Sequence, residues 1–210
     1  MTVQYLSYFL EETTPVYGGE EGKIQFKQLK SINNGDTSNN QEFHFPGHSG
    51  THIDFPLHFS AQGKSCNDYP ADFWIFRKVG FLCCNIEEMP DKLQELPKDL
   101  ELLILKTGFG NNRGNKIYWQ EQPIIPASFA KLLRSNFPLL RVFGFDLISL
   151  TSKLNREEGK NAHLQFLIEN DILILEDMNL LMVHESPATV IIAPMLIQSG
   201  DGVPCTVISF

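Results

Sequence analysis

His44-Phe-Pro-Gly-His48-Ser-Gly-Thr-His52-Ile-Asp54-Phe-Pro56-Leu-His58-Phe59 holds four of the six histidines in a chain of 210 residues. Histidines gather where a proton or a metal must be held, because an unpaired buried imidazole is costly. His52 and Asp54 are two apart, so on an extended strand both side chains leave one face roughly 6–7 Å apart at their bases and converge on one ion. On a straight strand His48 would lie about 13 Å from His52. Gly50, which tolerates positive φ, permits the bend that brings it back. Pro56 stiffens the backbone that carries His58. Imidazole and carboxylate donors suit Zn²⁺, Mn²⁺ or Fe²⁺ better than Ca²⁺ or Mg²⁺, which prefer oxygen shells. His48, His52, Asp54 and His58 therefore read as a transition-metal site. His44, inside the alternating run Phe43-His44-Phe45, reads as a strand residue.

The string from His48 to Phe59 resembles the HxGTHxDxPxHF signature of the metal-dependent cyclase-like hydrolases, a family that includes bacterial kynurenine formamidase (arylformamidase) and isatin hydrolase. Other pieces resemble the same family in the same order: Leu6-Ser7, Thr14-Pro15-Val16-Tyr17, Lys106-Thr107-Gly108, Gly144-Phe145-Asp146 with Ser149, His163-Leu164, and Glu176 before Asn179-Leu180. The resemblance implies that His163 and Glu176 complete the metal site. It implies Zn²⁺ or Mn²⁺, one or two ions per chain, with His48, His52 and Asp54 on one and His58, His163, Glu176 and a shared Asp54 on the other. With a single ion, His58 or His163 would be free as acid or base.

The implied reaction is attack of metal-activated water on the amide carbonyl of a small aromatic formamide, with a proton passed to the departing nitrogen by His58 or His163. A lactam or lactone hydrolase, a cyclase or dehydratase, and a non-catalytic metal-binding protein are the alternatives. Tyr17 reads either as a substrate-facing aromatic or as an ordinary loop residue, and Asp146 as support for a ligand. The family's habit of homodimerisation is expected to carry over. Its arginine two residues after the proline of the Gly-Asp-Gly turn does not, because Thr206 stands there.

A hydrophobic content of 42% over this length suits one domain, residues 1–210, with a substantial core. The net charge of −8 comes without an acidic block and without a basic stripe, which argues against a nucleic-acid surface. With no basic start to an apolar leader and no run long enough to span a bilayer, a cytoplasmic protein with no membrane partner is expected. Cys66, Cys83, Cys84 and Cys205 form no CxxC pair and read as reduced thiols. No GxSxG elbow offers a serine nucleophile. The glycine-rich stretch 107–114 lacks nucleotide-site spacing and reads as a mobile active-site loop.

Periodicity predicts an extended arm over 3–10, a hairpin of a half-buried strand at 24–32 with a partner at 42–45, and buried strands at 79–86 and 102–106. A helix over 126–134, a strand over 140–146, a helix over 163–170 and a strand over 172–175 follow. A strand within 188–197, a turn and a last strand ending at Ser209 close the chain. Phe73, Trp74 and Phe76 read as core or as pocket wall. The sum is a mixed α/β domain built around a central sheet or barrel-like β core with flanking helices.

Overall fold

The computed structural model describes residues 3–210. Strands form at β1 (Gln4–Tyr5), β2 (Gln25–Lys30), β3 (Asn40–His44), β4 (His52–Asp54), β5 (Ile75–Phe76), β6 (Val79–Cys83), β7 (Leu102–Lys106), β8 (Val142–Phe145), β9 (Leu173–Glu176), β10 (Val190–Pro194) and β11 (Gly202–Ser209). Helices form at α1 (Met89–Lys92), α2 (Ile117–Gln120), α3 (Ser128–Asn136) and α4 (Arg156–His163).

The main sheet runs β5-β10-β11-β4-β9-β8-β7-β6, with β1 added to β11. Strands β6 to β9 are parallel and the remainder antiparallel. β5 and β6 sit at opposite ends of this order, yet only Arg77 and Lys78 separate them in sequence. The two edges are therefore drawn together, and the sheet curls into a nearly closed, barrel-like body. The expected mixed α/β fold with a barrel-like core is the one that forms.

Within the parallel half β7, β8 and β9 are apolar because both faces are covered: Leu102–Leu105, Val142–Phe145 and Leu173–Leu175 are all buried. β6, expected as a buried strand over 79–86, instead ends at Cys83 and buries only alternate residues, because it lies at the end of the sheet order. α3 contributes Phe129, Ala130 and Leu133, at helical spacing, to the same core. Trp74 and Phe76 are buried in that core and Phe73 packs against it, so this aromatic cluster is structural and none of it lines the histidine-bearing cavity.

Two expectations need correction. β2 and β3 pair only with each other, as a separate two-stranded sheet, and stay largely exposed instead of half-buried. Their one aromatic contact is internal, Phe26 edge-on to Phe43 at 5.1 Å between ring centroids. The late helix starts at Arg156, seven residues before His163, with Asn155 as its cap: the Glu158 amide donates to Asn155 Oδ1 at 3.1 Å. Arg156–Ala162 escapes a periodicity reading because it is almost wholly polar. His163 closes α4, and a π-helical turn, Leu164–Glu169, follows where a regular helix was expected. Among the described residues no helix is long and apolar enough to cross a membrane, and all four cysteines are free.

Candidate metal centre

β4 lies between β11 and β9, and its register places His52 directly opposite Glu176. Asp54, two residues on, shares the face of His52. Gly50 takes φ +60°, the left-handed bend that the spacing required. That bend brings His48 Nδ1 to 2.8 Å from Asp54 Oδ1. His58 comes from the turn Pro56–His58 and His163 from the end of α4. The structure thus brings together all six residues that the sequence singles out.

The grouping differs from the expected partition. His52 Nε2 lies 3.4 Å from Asp54 Oδ1 and 3.3 Å from Glu176 Oε2. His163 Nε2 lies 3.4 Å from Asp54 Oδ2 and 3.6 Å from Glu176 Oε1. The two imidazoles therefore face opposite oxygens of the same two carboxylates, so Glu176, like Asp54, is shared between them. His58 falls with His48 instead, their rings 4.0 Å apart between centroids. His48, Asp54 and His58 form one compact donor group and His52, Asp54 and Glu176 another.

A cation fits this arrangement on the evidence of the imidazoles themselves. His52 Nδ1–H donates to the Gly50 carbonyl at 2.8 Å, and His163 Nδ1–H to the Gly159 carbonyl at 2.8 Å. Each ring so fixed turns an Nε2 lone pair toward carboxylate oxygens. His52 Nε2 is buried and makes no hydrogen bond. Acceptor facing acceptor in a buried site is repulsive unless positive charge lies between them. The separations of 3.3–3.6 Å exceed a good charge-assisted hydrogen bond, but they match the edge of about 3.3 Å between two ligands of a tetrahedral ion with bonds of about 2.0–2.1 Å. Asp54 and Glu176 carry two negative charges, which one divalent cation cancels. Glu176 Oε1 also accepts from the Leu150 amide and, at 3.3 Å, from the Ser149 hydroxyl, which fix the orientation of the carboxylate.

Without a metal, protons take that place. Burial opposes charge on the His52 ring, but the facing Glu176 and Asp54 carboxylates outweigh it and push its pKa up to about 9. Burial likewise opposes charge on His163, and Asp54 with Glu176 raise it to about 10. Asp54 is held well below the usual carboxylate range, with His163 and His48 overcoming its burial. Raised imidazole values stabilise the fold fully below the unfolded value of 6.5, and that contribution disappears as pH rises through about 9 to 10. The chelator-stripped chain is expected to lose melting temperature steadily between pH 7 and pH 10, and the metal-loaded chain to lose less. Differential scanning fluorimetry across this range checks it, and parallel curves for the two forms would contradict it.

A cavity of about 330 Å³ opens onto these donors and is walled by Pro15, Tyr17, Phe59 and Ile148. Tyr17 therefore faces the site, and the Phe59 ring stacks on His163 at 4.6 Å. A larger cavity, about 730 Å³, lies between residues 12–24 and Arg113–Gln120. It shares Pro15 with the first but contains no histidine.

The loop 107–114, expected at the active site, borders only the larger cavity, through Arg113 and Gly114. Asp146 anchors that loop instead of supporting a ligand: it accepts from the Thr107 amide at 2.8 Å, the Thr107 hydroxyl at 2.7 Å and the Gly108 amide at 2.9 Å. Thr206 is exposed on β11, opposite Ala193, and does not line the cavity. His44 and His184 are exposed and away from the cluster. The sequence reading missed Asp201, whose Oδ2 lies 3.0 Å from His58 Nδ1 and 3.2 Å from His48 Nε2. Its only signal is a Gly-Asp-Gly turn, and that turn meets β4 only through the β4–β11 pairing.

The chain matches the Cyclase family over residues 5–151. It is 29% identical over 161 residues to the kynurenine formamidase of Bacillus thuringiensis (strain Al Hakam), covering 75% of this chain and 73% of that protein. Among solved structures, an isatin hydrolase bound to the product analogue thioisatinate superposes with a TM-score of 0.80 at 16% identity, over 99% of this chain and 91% of that one. A protein described as a potential metal-dependent hydrolase with cyclase activity superposes with a TM-score of 0.75 at 21% identity, over 99% and 96%. These two likenesses establish a shared fold.

Proposed function

The chain belongs to the Cyclase family, and on that premise we propose that it is a metal-dependent hydrolase that cleaves the amide C–N bond of a small aromatic formamide. The observation that carries this reading is the convergence of the His52 and His163 lone pairs and the Asp54 and Glu176 carboxylates beside a cavity walled by Tyr17 and Phe59. His52, Asp54, Glu176 and His163 would hold a first Zn²⁺ or Mn²⁺, and His48 with Asp54 and His58 a second ion where one binds. Bound there, a divalent transition metal supplies Lewis-acid chemistry, bringing the pKa of water to about 7 and polarising a carbonyl oxygen.

The chain's own residues supply the rest. Gly50 and Gly159 carbonyls fix the tautomers of His52 and His163, so neither ring turns away from the centre. His58, with 31% of its side chain exposed, stands at the mouth. It is placed to pass a proton to the departing nitrogen. Tyr17 and Phe59 offer flat surfaces to an aromatic substrate. No serine or cysteine nucleophile takes part in this reading.

The similarity to kynurenine formamidase supports N-formylkynurenine as the first substrate to try, with isatin and an aryl lactone beside it in the same assay of metal-loaded protein. Selective turnover of the formamide is expected. Preference for the lactam or lactone would move the substrate class, and failure of the whole panel with metal confirmed bound would remove the catalytic reading.

The exposed hairpin supports a homodimer. Leu29, Ile32 and Phe43 lie open on β2–β3 and its turn, and an isolated two-stranded hairpin is marginal without a cover. Light scattering on the eluting protein is expected to give twice the 23.8 kDa chain mass, and a monomer at micromolar concentration would overturn this. Free thiols and the lack of a membrane-spanning helix among the described residues support a cytoplasmic location.

A further inference from the structure

Asp201 and Gly202 form a seat for two imidazoles. The β4–β11 register sets Gly202 opposite Asp54, and the Phe55 amide donates to the Asp201 carbonyl at 2.9 Å, so the turn is tied to the metal-bearing strand at two points. A Cβ at Gly202 would overlap the His48 ring, which packs directly on that backbone. The Asp201 carboxylate then meets the edges of both rings: His58 Nδ1–H donates to Oδ2 at 3.0 Å, and the same oxygen lies 3.2 Å from His48 Nε2. His58 borders the cavity, and its Nε2 makes no hydrogen bond among the described residues.

We propose that Asp201 is a positioning residue that locks His58 in the Nδ1–H tautomer, so that Nε2 faces the substrate cavity. His58 is the most exposed of the six clustered side chains, rising from a single turn of backbone, and among the described residues no other hydrogen bond holds its ring. An imidazole without an outer partner rotates and exchanges tautomers, whereas a carboxylate on Nδ1 fixes both. The proton-carrying role of His58 rests on the hydrolase reading above; the locking of its ring by Asp201 does not.

The test separates the two. In ¹⁵N-histidine-labelled full-length chain, stripped of metal, long-range ¹H–¹⁵N spectra are expected to show His58 protonated on Nδ1, and D201A is expected to release it to a mixture of tautomers. An unchanged His58 signal in D201A would overturn the proposal. In the metal-loaded enzyme, D201A is expected to lower kcat by about tenfold to a hundredfold with KM within about twofold and the ion at His52, Asp54, Glu176 and His163 retained. D201N, whose amide oxygen still accepts from Nδ1–H, is expected to recover part of the loss. Loss in D201A of the ion held by His52, Asp54, Glu176 and His163 would overturn the proposal, because Asp201 touches none of those four side chains. If no substrate in the panel is turned over, the spectrum alone decides the positioning role.

Discussion

Asp54→Asn is expected to leave the chain folded and to lower metal-dependent kcat/KM at least about a thousandfold, the loss of several kcal/mol of transition-state stabilisation. No other side chain in the centre is so widely shared. Asp54 Oδ1 lies beside His48 Nδ1 and His52 Nε2, and Oδ2 beside His163 Nε2. The carboxylate is 1% exposed, so water cannot replace it. Asparagine keeps the shape but removes one of the two buried negative charges that a dication needs. It also turns an NH₂ toward one of the imidazoles. The fold survives because β4 is held through its backbone to β9 and β11, whatever the side chain. Metal per chain by mass spectrometry, read with circular dichroism, checks this. Wild-type metal content in D54N would remove Asp54 from the centre.

The second large effect lies behind the site. Arg113→Met is expected to cost about 3–5 kcal/mol of stability. Asp177 follows Glu176 directly, is 1% exposed, and adopts φ +50°, which is unfavourable for a residue with a Cβ. Arg113 grips it in a bidentate pair, Nε to Oδ1 at 2.9 Å and Nη2 to Oδ2 at 2.8 Å, while the Tyr118 hydroxyl donates to Oδ1 at 2.6 Å. The guanidinium also lies 3.9 Å over the Tyr8 ring. Methionine preserves volume but strands a buried carboxylate, so the cost is that of an uncompensated charge. The double variant R113M/D177N, which removes both charges, is expected to recover much of it. Urea unfolding measures each. A loss below about 1 kcal/mol for R113M would show that solvent reaches Asp177 after all.

How much of this was legible in the sequence follows from what kind of information each feature needs. His48, His52, Asp54 and His58 were readable because their convergence depends on local rules: same-face spacing on a strand, a glycine bend and a proline turn. The three apolar parallel strands were readable for the same reason, as short runs buried on both faces. The partition of the six donors was not, because it depends on which strand lies beside β4. Only the β4–β9 register reveals that Glu176 faces His52, and only the packing of the end of α4 against them brings His163 to both carboxylates. Asp201 is hidden by distance, 143 residues from His58 in sequence. Arg156–Ala162 is hidden because its helix is specified by a cap and by packing at one end, not by an apolar stripe. The 107–114 loop misled because glycines mark tight turns as readily as ligand contacts; Asp146 uses them for a turn. The hairpin misled because alternation predicts a face to bury without saying what would bury it.

The buried His52, Asp54, Glu176 and His163 are proposed to hold a divalent metal on which hydrolysis depends. The most direct measurement is a titration of chelator-stripped protein with Zn²⁺, and separately with Mn²⁺, following bound metal and amide hydrolysis in the same samples. Activity is predicted to start near zero, to rise in proportion to bound metal with at least one of the two ions, and to saturate with the centre. Full activity in the stripped chain, or a chain that binds neither ion, would contradict the account.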